Sequence, residues 1–215
     1  MRTRNKPWAD NEIEINTLLI SAPDTPKGKW ASAFGNSNPV FVELGCGKGR
    51  FITELALENP AVNFVAIERE KKIIVMALKA AREQGIKNLF FINDDVDRLG
   101  EFFDEGEISR LYINFCDPWH RKKKWAKRRL THRTYLAVYR QLLTEGGEIH
   151  FKTDNSPLFE FSLAEFSETG WKIKNSTTNL HSEAPVPGDI VTEYEERFMT
   201  LSVPICRLEA INKRQ

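Results

Sequence analysis

Carboxylates recur at the ends of five short apolar runs. Glu43 stands with Gly45, Gly47 and Gly49 at the first, Glu68 follows 64–67, and Asp94 and Asp95 follow 89–92. Asp117 follows 111–115, and Asp154 follows 148–151. One such acid is an ordinary solvated loop residue. Five in succession make an anionic rim, suited to holding a cation and to stabilising positive charge that develops during a reaction. Asp117 also opens a second feature: Pro118 and Trp119 follow it, and then residues 120–133 carry eight Lys/Arg and no Asp or Glu. The chain holds 31 basic and 30 acidic residues, and without this window 23 basic remain against the same 30. A mildly acidic body with one basic ridge is the charge layout of a protein that meets a polyanion at one place. A run of charge is commonly a solvated helix face. Here the uniform sign, the interleaved Trp119 and Trp125, and the attachment to Asp117 favour RNA phosphates and bases instead.

The elements that must position these acids follow from periodicity. Strand-like runs at 40–44, 64–67, 89–92, 111–115 and 148–151 alternate with helical patterns at 51–58, 71–84, 127–143 and 158–168, the second closed by Gly85. This alternation predicts an α/β, doubly wound, mostly parallel sheet with helices on both faces. Two further strand-like runs, 171–178 and 196–203, have no helix between them and read as an antiparallel C-terminal edge pair, making seven strands. Ligands on such sheets bind at the carboxyl ends of the strands, where the acids stand. Trp30 and Trp171 read as core.

With 215 residues and 41% hydrophobic content, the chain reads as one ordinary globular domain. Its parts are an N-terminal extension (1–38), an α/β core (39–205) and a tail (206–215). No apolar stretch reaches the ~18 residues that would span a bilayer, and the basic N-terminus lacks the apolar segment of a signal peptide. Cys46, Cys116 and Cys206 are odd in number and far apart, and His120, His132, His150 and His181 lack metal-ligand spacing. A cytoplasmic protein without a metal is the expectation.

The glycine turn narrows the ligand. A dinucleotide fingerprint, like a P-loop, needs glycine where Arg50 stands, and the P-loop then needs Lys-Ser/Thr where Phe51-Ile52 stand. Glu43 would repel a pyrophosphate and attract a cation. A cationic nucleoside such as S-adenosylmethionine suits the pattern. Glu68 would accept from its ribose hydroxyls and Asp95 from its adenine amine, with Glu43 near the positive methionyl end.

Five motifs in order carry a resemblance: Arg2-x-Arg4-x-Lys6-Pro7-Trp8, Glu43 through Gly49, Asp117-Pro118-Trp119 with its ridge, His150 through Asn155, and Thr192 through Glu195. Together they resemble the bacterial single-chain tRNA (guanine-N(7)-)methyltransferases, class I enzymes with a Rossmann-like sheet. The resemblance runs from residue 2 to about residue 198. It implies methyl transfer from S-adenosylmethionine to the 7-nitrogen of a guanine in the tRNA variable loop, by a monomer or homodimer, with Asp117 at the catalytic position. Cofactor binding falls on Glu43, Gly45, Gly47, Glu68, Asp95 and Asp117. Substrate binding falls on Lys122 (or Arg121 beside it), Asp154, Thr192, Glu193, Tyr194 and Glu195. RNA binding falls on Lys123, Lys124, Trp125, Ala126, Lys127, Arg128 and Arg129. The ridge departs from the family's pattern by one extra residue, and Trp125 stands about where the family has a histidine. The rival readings are a nicotinamide-dependent oxidoreductase, a non-catalytic RNA-binding protein on the same fold, and a small-molecule methyltransferase, which would leave the ridge unexplained.

Overall fold

The computed structural model of the chain describes residues 7–20, 26–182 and 190–213. Arg2, Arg4 and Lys6 of the N-terminal motif lie outside the described residues, as does the side chain of Lys123. The chain divides into two compact units, Met1–Asp104 and Glu105–Gln215.

In the first unit, α1 (Pro7–Ile15), β1 (Leu19–Ile20) and α2 (Trp30–Phe34) lie in the stretch expected to be a polar leader. They precede β2 (Val40–Leu44), α3 (Arg50–Glu58), β3 (Asn63–Ile67), α4 (Lys71–Glu83), β4 (Leu89–Ile92) and α5 (Leu99–Phe102). The strands form a parallel sheet in the order β1-β4-β3-β2. Every residue of β3 is buried, the mark of a parallel strand covered on both faces. Helix α4 turns Ile74, Val75, Ala77, Leu78 and Ala81 inward at helical spacing, and α3 does the same with Phe51, Ile52, Leu55 and Ala56. Trp30 is core, stacked on Phe103 at 5.1 Å, and its indole N–H donates to the Phe102 carbonyl at 3.1 Å.

The second unit holds β5 (Ile108–Asn114), α6 (Arg133–Leu142), β6 (Leu143–Thr153), α7 (Ser156–Glu168), β7 (Lys172–Thr177), α8 (Glu193–Thr200) and β8 (Cys206–Ile211). Strand β5 pairs parallel with β6, β6 pairs antiparallel with β8, and β8 pairs antiparallel with β7. Three expectations are corrected here. The described residues carry eight strands rather than seven, because β1 is a two-residue strand inside the leader. The stretch 196–203 is not a strand: α8 starts at Glu193, and the last strand is β8, in the segment read as a tail. The Thr192 hydroxyl and the Glu195 carboxylate cap each other's backbone N–H groups, and this capping box starts a helix that composition alone does not reveal. The helix expected over 127–143 is also shorter. Residues Lys123–Arg128 form a 3₁₀ turn, and α6 begins only after His132, which caps Thr134 N–H.

One face of the sheet in the second unit is apolar, with Leu111, Ile113, Ile149, Phe151, Leu208 and Ala210 buried, and α7 packs against β6, β7 and β8. The alternate positions are polar and closely paired. His150 Nε2 lies 2.8 Å from Glu148, whose carboxylate also accepts from Arg110 at 2.9 Å and Lys174 at 2.6 Å, and Arg207 pairs with Glu209. Burial, with the Arg110 cation second, pushes the His150 pKa down from its ordinary 6.5 to about 4, against the pull of Glu148 and Glu209. At Glu148 burial raises the pKa, but hydrogen bonds from Lys174 and His150 and the Arg110 charge outweigh it and bring it from 4.5 to about 2.

Both groups therefore take up protons in the unfolded chain at a higher pH than in the folded one. Their contribution is complete above about pH 6.5 and is lost as the pH falls, first through the histidine window and then through the glutamate window. The thermal midpoint is expected to fall as the pH drops from 7 to 4, and His150→Gln should flatten the fall between pH 6.5 and 4. Calorimetric scans of both proteins check this, and parallel pH profiles would show that His150 does not carry the effect.

Candidate active site

The predicted site residues form two clusters, one in each unit. In the first, parallel register brings the ends of β2, β3 and β4 side by side, with Leu44 opposite Ile67 and Ile67 opposite Ile92. The loops that follow are stitched to one another. Gly45 and Cys46 N–H donate to the Ile67 carbonyl at 2.8 and 3.0 Å, and Glu68 N–H donates to the Ile92 carbonyl at 3.1 Å. The Asn93 amide donates to the Glu68 carbonyl at 2.8 Å.

This frame orients the acids. Glu68 accepts from Gly47 N–H through one oxygen at 3.1 Å and from Glu70 N–H through the other at 2.9 Å. Its carboxylate is thus fixed while each oxygen keeps a second lone pair. Asp95 caps the 3₁₀ turn Val96–Arg98 by accepting from Asp97 N–H at 3.1 Å, and its other oxygen lies 3.8 Å from Arg69. Glu43 is buried in β2. Gly45, Gly47 and Gly49 all have positive φ, between +57° and +81°. A Cβ at Gly45 or Gly47 would meet nothing within 4 Å, leaving room for a ligand against the backbone. At Gly49 it would sit 2.5 Å from Ala77 Cβ, so this glycine serves the packing of α3 on α4. Carboxylates with open lone pairs beside a bare backbone suit a ligand bearing hydroxyl, amine and cationic groups. Cys46 is no nucleophile: burial, reinforced by Glu43 and Glu68, raises its pKa well above the usual thiol value.

In the second unit β5 ends at Asn114, and Phe115 takes a left-handed conformation (φ +49°), as does Trp119 (φ +44°). Such a backbone is costly for bulky residues and persists where the surroundings over-determine it. Between them Asp117 is exposed, and one of its carboxylate oxygens accepts from Trp119 N–H at 2.8 Å. The neighbouring Cys116 thiol is pushed up to about 12, chiefly by burial. The ridge then forms an ordered cation–aromatic cluster. Trp119 and Trp125 meet edge to face at 5.8 Å, the Arg128 guanidinium lies 4.9 Å from the Trp119 ring centre, and the Lys122 ammonium lies 5.2 Å from that of Trp125. Arg129 bonds the Pro118 carbonyl at 2.9 Å and covers Phe161 at 4.3 Å, so it braces the Asp117 loop as well as carrying charge. Arg121, Lys124 and Lys127 are exposed, and Ala126 is half-buried within the turn.

Asp154 follows β6 directly, just before Asn155, whose side chain caps α7 by accepting from Leu158 N–H at 2.8 Å. Thr192, Glu193, Tyr194 and Glu195 open α8. Tyr194 is 57% exposed and stacks on Phe115 at 5.9 Å, which ties the start of α8 to the loop that carries Asp117. Glu195 differs from the other acids. It is fully buried, its oxygens lie 3.2 and 3.3 Å from the Lys152 ammonium, His181 Nε2 lies 2.9 Å from one oxygen, and the other accepts from Thr192 N–H at 3.2 Å. Sequence reasoning passed over Lys152 and His181. The available signal was a lysine within β6 between Phe151 and Thr153, because a cation in a buried strand demands a partner.

The profile of a family described as "Putative methyltransferase" matches residues 37–208. A tRNA (guanine-N(7)-)-methyltransferase of Bacillus velezensis is 46% identical over 97% of this chain and 96% of that protein. The chain belongs to the tRNA (guanine-N(7)-)-methyltransferase family. Its fold recurs in more distant methyltransferases. The crystal structure of the 16S rRNA methyltransferase KamB has a TM-score of 0.65 at 15% identity, covering 88% of this chain and 95% of that one. A 16S rRNA (adenine(1408)-N(1))-methyltransferase from Catenulisporales acidiphilia, crystallised as a mutant with its cosubstrate SAM, has a TM-score of 0.59 at 14% identity over 87% and 91% of the two chains. The α/β, mostly parallel fold with antiparallel C-terminal strands is thus that of the class I methyltransferases.

Gly49→Ala is expected to destabilise the protein by about 2–4 kcal/mol. The new Cβ is forced onto Ala77, and alanine resists a positive φ. Gly45→Ala meets no neighbour and should cost only the conformational part, about 1–2 kcal/mol. Urea denaturation of both variants separates the packing role of Gly49 from the open side of the turn.

Proposed function

We propose that the protein transfers the methyl group of S-adenosylmethionine to the 7-nitrogen of a guanine in the tRNA variable loop. The observation that carries this reading is Asp117: an exposed carboxylate, set by Trp119 N–H, at the head of a basic and aromatic turn, in a chain 46% identical to a tRNA (guanine-N(7)-)-methyltransferase. That family is not one of nicotinamide-dependent oxidoreductases, the principal alternative for the glycine turn. A tRNA substrate fits a cytoplasmic reaction.

When bound, S-adenosylmethionine supplies an electrophilic methyl on a sulfonium. The residues that would hold it are Glu68 at the ribose hydroxyls, Asp95 at the adenine amine, Gly45 and Gly47 along the backbone, and Glu43 toward the cationic end. The guanine 7-nitrogen offers an in-plane lone pair with no proton on it, so no general base is required. The protein's task is to align the reactants and to favour the positive charge gained by the purine ring. Asp117 meets that task as a fixed anion. Asp154 is assigned to the N–H donors on the opposite edge of the base, in the manner of enzymes that read an extruded base. Lys122, Lys124, Lys127 and Arg128 are assigned to tRNA phosphates, with Trp119 and Trp125 as stacking surfaces.

Methyl transfer from labelled S-adenosylmethionine to unmodified tRNA, with the modified base identified by mass spectrometry, tests the reading. Asp117→Asn should fold, still bind S-adenosylhomocysteine, and lose at least a hundredfold in single-turnover rate. A rate near wild type would assign Asp117 to the scaffold. In addition, tRNA affinity should fall steeply with salt. Replacing Lys124, Lys127 and Arg128 by Gln should flatten the slope by roughly 0.7–0.9 per lost phosphate contact. Equal slopes would put the phosphate footprint elsewhere, with Arg2, Arg4 and Lys6 next to examine.

A further inference from the structure

Lys152 bonds both the segment that leads to Asp117 and the start of α8. Its carbonyl accepts from Phe115 N–H at 2.9 Å, two residues before Asp117. Its side chain crosses to α8 and meets both oxygens of Glu195, and its ammonium also donates to the Ile190 carbonyl at 3.4 Å. Asp154 lies two residues further along the same chain. Lys152 and Glu195 are both buried, and His181 closes the pair from its more exposed side. Glu195 is therefore surrounded by donors from this chain: one ammonium, one imidazole and one backbone N–H. A carboxylate so engaged has little left to offer a nucleobase. It does hold the start of α8, and with it Thr192, Glu193 and the exposed Tyr194, against the segment that carries Asp117.

We propose that Lys152, Glu195 and His181 form a positioning triad, in which Glu195 acts by fixing the Thr192–Tyr194 segment for the guanine nucleotide rather than by touching the base. This rests on the reading of that segment as substrate-binding. The charges matter as a pair: removing either partner strands the other in a buried place, whereas removing both does not. Glutamine can replace glutamate in a capping box, so Glu195→Gln need not undo the start of α8.

The test measures steady-state methylation of matched tRNAs carrying guanine or inosine at the target, since inosine lacks the exocyclic amine. Affinity for S-adenosylhomocysteine is measured by calorimetry beside it. Lys152→Met and Glu195→Gln are each expected to raise KM for tRNA tenfold or more, with kcat within about threefold. The ratio of guanine to inosine methylation should stay unchanged, and S-adenosylhomocysteine affinity should stay within about twofold. The double variant Lys152→Met/Glu195→Gln should recover at least threefold in KM relative to either single change. A collapse of the guanine-to-inosine preference in Glu195→Gln would overturn the proposal, because it would put Glu195 on the base. A double variant no better than the worse single variant would overturn it as well. Should the single variants fail to fold, His181→Gln carries the test without stranding a buried charge: KM is expected to rise three- to tenfold with the base preference intact, and an unchanged KM counts against the triad. Wild-type protein that methylates no tRNA guanine would overturn the functional reading itself, an outcome distinct from all of these.

Discussion

Parallel pairing leaves the carboxyl ends of neighbouring strands on one edge, and the loops that leave that edge run side by side. In the first unit this puts the glycine turn, Glu68 and Asn93 close enough to bond one another: Gly47 N–H donates to the Glu68 carboxylate and the Asn93 amide to the Glu68 carbonyl. In the second unit it sets Phe115 beside Lys152, so the segments leading to Asp117 and Asp154 start from adjacent positions. The acids are thus gathered by register, and three of them are then aimed by a bond from a backbone N–H: Glu68 by Gly47 and Glu70, Asp95 by Asp97, and Asp117 by Trp119. Strand ends provide the coarse placement, and backbone N–H groups provide the fine one.

The first unit was the more legible in the sequence. Its strands are continuous apolar runs and its helices carry clear apolar faces, so periodicity located β2, β3, β4, α3 and α4 within a residue or two. The two-residue β1 is too short for any period to register. The second unit misled the reading where local polar chemistry overrides composition. Residues 196–203 contain Phe198, Met199, Leu201 and Val203, which look like strand material, yet the helix is decided upstream by the reciprocal caps of Thr192 and Glu195. Strand β8 went unseen because Arg207 and Glu209 alternate with Leu208 and Ala210, and an antiparallel strand with a charged face reads as a polar tail until its partners are known. The ridge reads as helix by composition, but eight like charges in so short a stretch disfavour a continuous helix. The structure instead winds a 3₁₀ turn around two tryptophans.

The same contrast holds for the candidate site. Acids at strand ends are visible because their positions follow from the strands. Lys152 and His181 are not, since the partner that gives them meaning is 43 residues from the one and 14 from the other. Glu195 reads as a ligand-facing acid in a recognition motif, whereas the structure buries it completely against Lys152 and His181.

Thr192-x-x-Glu195 thus serves as a folding signal and as the head of the segment assigned to substrate, and one set of side chains satisfies both demands. An engineer who wished to retarget the enzyme to another base could not treat these positions as a free specificity cassette. A library randomised at Thr192 and Glu195 would be filtered first for sequences that still nucleate α8 and neutralise Lys152. Few of its members would reach the stage at which base preference is the property being selected. Diversity placed at the exposed Glu193 escapes that filter, whereas Tyr194 also carries the stack on Phe115 that ties α8 to the Asp117 loop.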